Sequence, residues 1–325
     1  MSDSAIAVEG VEKRFGDVVA LDGVDFEVPP ATVFGLLGPN GAGKTTAVRV
    51  LTTLLQPDAG HASVLGLDVA REPEKVRARI GLAGQYAAVD DNLTGRENLR
   101  MIGRLTHLPR RMIEDRAAEL LEGFDLADAA DRPARTYSGG MRRRLDLCAA
   151  LVHRPPVLFL DEPTTGLDLY SRKQLWAVIE NLVSEGTTLL LTTQYLEEAD
   201  RLADDLVVID HGQVIAQGAP QHLKSRIGGT VIEVGFPDPG EARRAHSIVA
   251  KFACRPPEVN GSEVRFEVAD GARILVDALR VLDGEGLAPE TIAVREPSLD
   301  DVFLALTGRR VEPDETTEDA ERGAA

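Results

Sequence analysis

Apolar positions along this chain come in two rhythms, unbroken short runs and spaced stripes, and the two alternate. The runs Val33–Leu37, Ile80–Gly84, Val157–Leu160 and Thr187–Thr193 read as strands covered on both faces, the pattern of a parallel sheet. Between them the stripes predict helices: Thr45–Leu55, with Val48, Leu51, Leu54 and Leu55 apolar, a short one at Glu72–Arg79, and Tyr170–Ser184. Two further strand-like runs, Ile6–Glu9 and Val24–Val28, flank a turn at Phe15-Gly16-Asp17, and a third covers His61–Leu67. Leu206–Asp210 and Gln213–Ala216 make a hairpin whose turn holds His211. The stretch Asn92–Leu126 is amphipathic and helical throughout. It opens on a capping box, Thr94 with Glu97, and continues through Arg110–Phe124 with Ile113, Ala117, Leu120 and Leu121 on one face. It reads as a helical insertion into an otherwise α/β chain.

The pattern shifts after Gly228-Gly229. Val231–Phe236 (strand), Glu241–Phe252 (helix), Glu263–Val268 (strand), Ile274–Leu282 (helix) and Thr291–Val294 (strand) follow, and Pro297–Asp301 caps a short helix, Val302–Leu306. This is a small α/β domain with no visible catalytic constellation. From Arg309 onward the chain is acidic, without apolar periodicity, and predicts a disordered tail.

Composition narrows the classes. With 43% hydrophobic and 27% charged residues among 325, the chain has the makeup of a globular protein with a sizeable core. No apolar stretch reaches the roughly 20 residues that span a bilayer, and the first residues lack the pattern of a signal peptide. The two cysteines, Cys148 and Cys254, have neither metal nor redox spacing. A net charge of −17 argues against nucleic acid and against an electrostatic hold on anionic lipid, so any membrane association is expected to run through a protein partner.

The chemistry is concentrated between the strands. Gly38-Pro39-Asn40-Gly41-Ala42-Gly43-Lys44-Thr45-Thr46 fits G-x-x-x-x-G-K-[ST] between a strand and a helix. Backbone N–H groups and a helix N-terminus there cradle phosphates, Lys44 reaches the β- and γ-phosphates, and the Thr45 hydroxyl suits Mg²⁺. Asp161 and Glu162 end a buried strand that has no structural need for two acids. One can hold the Mg²⁺ shell and the other can polarise an attacking water; as strand neighbours they are expected to face opposite ways. Gln85, ending its strand, can meet Mg²⁺ or be an ordinary loop amide. Phe15 can stack on a base or pack on the sheet. Ser138-Gly139-Gly140 opens a helix, as a second anion site or as a plain N-cap.

The ordered set Gly38–Thr46, Gln85, Ser138–Gly140, Asp161–Glu162 and Asp168 resembles the ATP-binding subunit of an ABC transporter. The runs Tyr137–Leu145, Thr192–Asp200 and Pro297–Leu304 look like the daunorubicin/doxorubicin-resistance-type exporters, extending the resemblance to about residue 308. The resemblance implies a P-loop ABC-type nucleotide-binding domain over residues 5–228 with its helical subdomain at about 92–150. A small accessory α/β domain then covers 229–308, and the acidic tail 309–325. It implies ATP and Mg²⁺ as ligands. Phe15 stacks on adenine; Lys44 and the loop amides hold phosphates; Thr45, Gln85 and Asp161 surround Mg²⁺; Glu162 is the general base. Ser138, Gly139 and Gly140 act at ATP held by a second copy and Asp168 lies at that same interface, so the chain is expected to work as a homodimer. An ABC-2-type permease, met through the loop between Gln85 and Glu97, would hold it on the cytoplasmic face of the membrane and carry a drug, a lipid or another amphiphile. A soluble ABC ATPase of translation or DNA repair is the rival class, and a module that binds ATP without hydrolysing it is a third. The chain departs from the family pattern where Tyr137 and Met141 stand for the usual Leu and Gln, and where Gln194 stands for the switch histidine. A glutamine amide can still donate to a γ-phosphate but cannot carry a proton's charge.

Overall fold

A computed structural model describes residues 4–84, 89–227, 229–269 and 271–307. Gln85 and the acidic tail lie outside the described residues. Contacts divide the chain into two compact units, Met1–Pro220 and Gln221–Ala325.

The first unit opens with β1 (Ile6–Phe15), β2 (Val18–Val28), β3 (Val33–Leu37), α1 (Lys44–Leu51), β4 (Ala59–Val64), β5 (Leu67–Asp68), α2 (Pro73–Arg77) and β6 (Ile80–Ala83). It continues through α3 (Gly95–Leu105), α4 (Arg110–Gly123), α5 (Gly139–Leu151), β7 (Val157–Asp161), α6 (Leu169–Ser184), β8 (Thr188–Thr193), α7 (Leu196–Leu202), β9 (Asp205–Asp210) and β10 (Gln213–Gly218). An antiparallel sheet has the order β2-β1-β4-β5, and a second sheet the order β10-β9-β3-β8-β7-β6. The second is parallel except at β10.

The unbroken apolar runs are explained by this second sheet, which is covered on both faces. In β7, Val157 and Phe159 pack with Phe34, Leu190 and the α1 residues Val48 and Leu51, whereas Leu158 and Leu160 pack with Leu99, Leu145 and Trp176 on the helical side. Each fully buried Leu or Phe contributes about 1.5–3 kcal/mol relative to exposure, so neither face can turn to solvent. Because β3, β6, β7 and β8 run parallel, their carboxyl ends, which carry the glycine-rich loop, Gly84, Asp161 and Thr193, come out at one edge.

Two differences from the sequence expectation have physical causes. The helix expected over Thr45–Leu55 stops at Leu51, because Thr53 turns left-handed (φ 64°) and Leu54 is left 60% exposed. β1 and β2 are longer than their apolar cores, since bulged register shifts around Gly10 and Gly23 break the two-residue rhythm while backbone pairing continues. α7 was not anticipated. The capping box forms as read, with Thr94 Oγ1 accepting from Glu97 N at 3.1 Å and Glu97 Oε2 from Thr94 N at 2.8 Å.

The second unit holds α8 (Pro220–Ile227), β11 (Thr230–Gly235), α9 (Pro239–Val249), β12 (Glu258–Asn260), β13 (Glu263–Val268), α10 (Gly271–Gly284), β14 (Thr291–Arg295) and α11 (Leu299–Thr307). Its sheet, β12-β13-β11-β14, is antiparallel throughout. Ile232, Val234, Val264, Phe266 and Val268 point to a core shared with Ala242, Ala245, Ala278 and Leu282 of α9 and α10. The exposed strand β12 and the helix α8 were not anticipated. Among the described residues, no helix is long and apolar enough to cross a membrane.

Candidate active site

The glycine-rich loop fits its place because a close backbone approach demands it. Gly43 is the N-cap of α1 with φ 112°, and a Cβ there would run into the Ala20 carbonyl oxygen. Ala42 N donates to Pro39 O at 3.2 Å, closing the turn, while Asn40 and Gly41 stand exposed at its rim. Lys44 and Thr45 open α1, so the helix N-terminus faces the loop, and Gly38, Pro39 and Thr46 complete it.

Lys44 is 4% exposed; its Nζ donates to the carbonyls of Gly38 (2.8 Å) and Pro39 (3.0 Å) and lies 3.7 Å from Glu162 Oε1. Burial pushes the ammonium below the usual lysine range, while Glu162 and Asp161 pull it back up. This pair is shielded from water, so its attraction is screened less than that of a surface ion pair, against the cost of burying both charges.

Asp161 shares the face of Phe159 and so turns toward α1: its Oδ1 accepts from Thr192 Oγ1 (2.6 Å) and Thr45 Oγ1 (3.3 Å). Alternation would send Glu162 the other way. It does not, because β7 ends at Asp161 and Glu162 takes a left-handed backbone (φ 50°), which brings its carboxylate beside Lys44. Thr192 fixes that turn, accepting from Glu162 N through both its carbonyl (3.1 Å) and its hydroxyl (3.0 Å). A non-glycine residue held left-handed at such a place is local strain maintained by its surroundings. The two carboxylates therefore have different partners without facing apart. The oxygen-only pair Thr45 and Asp161 suits Mg²⁺, which takes one or two protein oxygens and fills its remaining positions with water and phosphate.

Gln194 follows β8, whose last residue, Thr193, stands in register with Leu37 at the mouth of the loop. Gly84 ends at the same edge. Phe15 is 47% exposed beside the Gly16-Asp17 turn, so it is not a core residue, and Lys13 Nζ lies 5.7 Å from its ring centre. Ser138 is the N-cap of α5, accepting from Met141 N at 3.2 Å; it and Gly139 are exposed. Gly140 lies so close to α6 that a Cβ would meet Ser171 Oγ at 2.6 Å. Asp168 caps α6 through that same serine, accepting from Ser171 N (2.8 Å) and Ser171 Oγ (2.9 Å), bonds that hold its carboxyl below the usual range. The phosphate loop, Asp161, Glu162 and Gln194 are thus brought together at one sheet edge, while Ser138–Gly140 and Asp168 form a second group across the start of α5 and α6.

The departures at Tyr137 and Met141 both serve packing. The Tyr137 hydroxyl donates to Ala129 O at 2.7 Å from a buried position, and Met141 packs against the helical-side core. At Glu198, burial pushes the carboxyl up, and its Oε1 accepts from Trp176 Nε1 at 3.1 Å.

Arg143 was missed by sequence reasoning. It lies in the run Arg142-Arg143-Arg144, which looks like a solvated helix start, yet its side chain is 13% exposed and its counter-charge Asp146, at i+3, is 1% exposed. The signal available was that acid, one turn along on an otherwise apolar stretch of helix. A cavity of about 310 Å³, lined by Gly139, Arg143, Asp146, Thr165 and Leu167, reaches Glu162 from the α5 side.

The sequence matches the family model "ABC transporter" over residues 21–165 and "ATP-binding protein DrrA1-3-like, C-terminal domain" over residues 218–307. It is 56% identical over 322 residues, 98% of this chain and 100% of the relative, to the daunorubicin resistance ATP-binding protein DrrA2 of Streptomyces coeruleorubidus. It is 42% identical over 312 residues, 95% of this chain and 96% of the relative, to the Nod factor export ATP-binding protein I of Ralstonia nicotianae. Among solved structures, an ATP-binding subunit of an ABC transporter superposes with TM-score 0.63 at 27% identity, covering 69% of this chain and 93% of that one.

Proposed function

Because the chain belongs to the ABC transporter ATP-binding proteins, in the daunorubicin/doxorubicin-resistance group, we propose that it powers export of a drug-like amphiphile through an ABC-2-type permease. It is the ATPase subunit and works with a membrane component. The observation that carries the catalytic reading is the buried approach of Lys44 to Glu162, with Asp161 on Thr45 beside them.

ATP enters with its phosphates on the loop amides of Gly38–Thr46 and its adenine against the exposed Phe15 ring. The γ-phosphate draws Lys44 away from the Gly38 and Pro39 carbonyls. Thr45, Asp161 and Gln85 would hold Mg²⁺, which when bound would offset charge on the phosphate oxygens. Glu162, released from Lys44 as that cation turns to the phosphate, accepts a proton from the attacking water, and Gln194 donates to the γ-phosphate. Ser138, Gly139 and Gly140 present the N-terminus of α5 to ATP on a second copy, and Asp168 lies beside them. Two copies thereby enclose two ATP molecules in an isologous dimer on the cytoplasmic face, held there by the permease. The exposure of Ser138 and Gly139 at the N-terminus of α5 supports action in trans.

The test has two parts. Purified wild type should hydrolyse ATP, and Glu162→Gln should bind it, stop turning over and accumulate as an ATP-dependent dimer on size-exclusion chromatography. Co-expression with the permease should raise anthracycline resistance in a sensitive host only when Glu162 is intact. Resistance without hydrolysis would sink the energetic role. A lipid-like cargo is the second reading; lipid efflux without drug efflux in the same cells would select it.

A further inference from the structure

The left-handed turn at Glu162 needs something to hold it, and Thr192 meets only its N–H. The groups on either side of Glu162 are the carbonyls of Asp161 and Pro163, and one guanidinium bonds both. Arg143 Nε donates to Pro163 O at 2.8 Å, and Arg143 Nη2 to Asp161 O at 3.3 Å. The remaining nitrogen, Nη1, donates to Gly84 O at 2.6 Å and to Asp146 Oδ2 at 3.3 Å. The geometry of the fork matters here. A planar guanidinium can reach several carbonyls in fixed directions, which an ammonium cannot. Its charge, buried against Asp146, makes each of these bonds charge-assisted.

We infer that Arg143 is a positioning residue for ATP hydrolysis: it clamps the backbone on both sides of Glu162 and so keeps the base aimed at the phosphate loop. The inference rests on the reading of Glu162 as general base. It adds a dependence that reading lacks. Arg143 is carried on α5, the helix whose N-terminus is Ser138–Gly140, and its third carbonyl, Gly84, is the last residue before Gln85. The aim of the base in one copy is therefore set by where that copy's α5 sits, and α5 is the element offered to the second copy. A shift of α5 that breaks the clamp frees Glu162 to relax out of its left-handed turn, whereas the phosphate loop, which Arg143 does not touch, keeps its hold on ATP.

Arg143→Lys retains the charge facing Asp146 but loses the fork. We expect kcat to fall at least tenfold and the Tm to drop, with KM for ATP essentially unchanged. A double-mutant cycle with Glu162→Gln separates positioning from general damage. Once the base is gone, Arg143→Lys should lower the residual rate less than twofold. Asp146→Asn, which leaves every carbonyl bond in place, should show the same pattern with a smaller drop and guards against a folding defect in the first variant. Full kcat in Arg143→Lys overturns the inference, as does an equal fold loss in the wild-type and Glu162→Gln backgrounds for both variants. Undiminished turnover in Glu162→Gln alone would instead overturn the assignment of the base.

Discussion

Each unit contains a sheet packed by helices, yet only one of them gathers chemistry. The difference is strand direction. In the parallel sheet of the first unit, β3, β6, β7 and β8 end at one edge, so a glycine loop, two acids, a glutamine and two threonines taken from positions 38 to 194 of the chain meet there. In the second unit neighbouring strands oppose one another, and their ends are split between two edges. The polar residues there alternate along strands instead, as Glu263, Arg265 and Glu267 do opposite Val264, Phe266 and Val268. Burial on both faces also matters: it leaves the strand ends as the only place where a parallel strand of this kind can carry a polar side chain without a penalty.

The sharpest way to break this contrast is at the parallel edge. Glu162→Gln should lower kcat by about 10²–10⁴-fold, the usual worth of a general base, with ATP affinity retained in equilibrium binding. In the second unit the same severity should appear as stability alone. Phe266→Ala should destabilise by about 3–5 kcal/mol, read by chemical denaturation, and leave ATP affinity unchanged; lost ATP binding would mean that the units are not separable in function. Gln194→Ala should cost about ten- to a hundredfold in kcat, since a hydrogen bond to a charged oxygen contributes about 1.5–3 kcal/mol. Its rate profile between pH 6 and 8 should keep the wild-type shape, because no imidazole titrates there. The smallest effect is expected at Glu198, whose carboxyl is raised by burial. Below the ordinary glutamate range the acid is protonated in both the folded and unfolded states. As pH climbs through that range toward the raised folded value, stability falls. Glu198→Gln should therefore melt above wild type at pH 8, and the gap should close toward pH 4; a gap independent of pH would show that ionisation is not its source.

Much of this architecture was legible. The apolar runs and stripes gave the order of β3, α1, β6, β7, α6 and β8, because strands with two covered faces leave no doubt about period. The loop Gly38–Thr46 was legible because its chemistry is local in sequence. What escaped was non-local. Nothing in the order of residues says that Glu162 leaves the strand alternation, since the cause is Thr192, thirty residues later. Apart from Asp146 one turn along, nothing marks the middle arginine of Arg142-Arg143-Arg144 as the one that reaches the backbone around Glu162 until α5 is laid against Gly84 and Pro163. The bulges in β1 and β2 hid two long strands for a related reason: backbone pairing does not require the side chains to keep time.

The left-handed turn at Glu162 also sets an order of failure. An isolated segment of this sequence would leave that backbone in the extended or right-handed regions that side chains prefer, so the proposed base keeps its aim only while its neighbours hold. When this edge loosens, through heat or a missing contact, the protein should forfeit hydrolysis first and nucleotide capture second. Such a molecule idles with ATP bound instead of spending it. Hydrogen exchange at the Glu162 amide, followed beside the ATPase rate and ATP affinity as temperature rises, reads that sequence directly: exchange should quicken with the fall in rate, and before affinity declines.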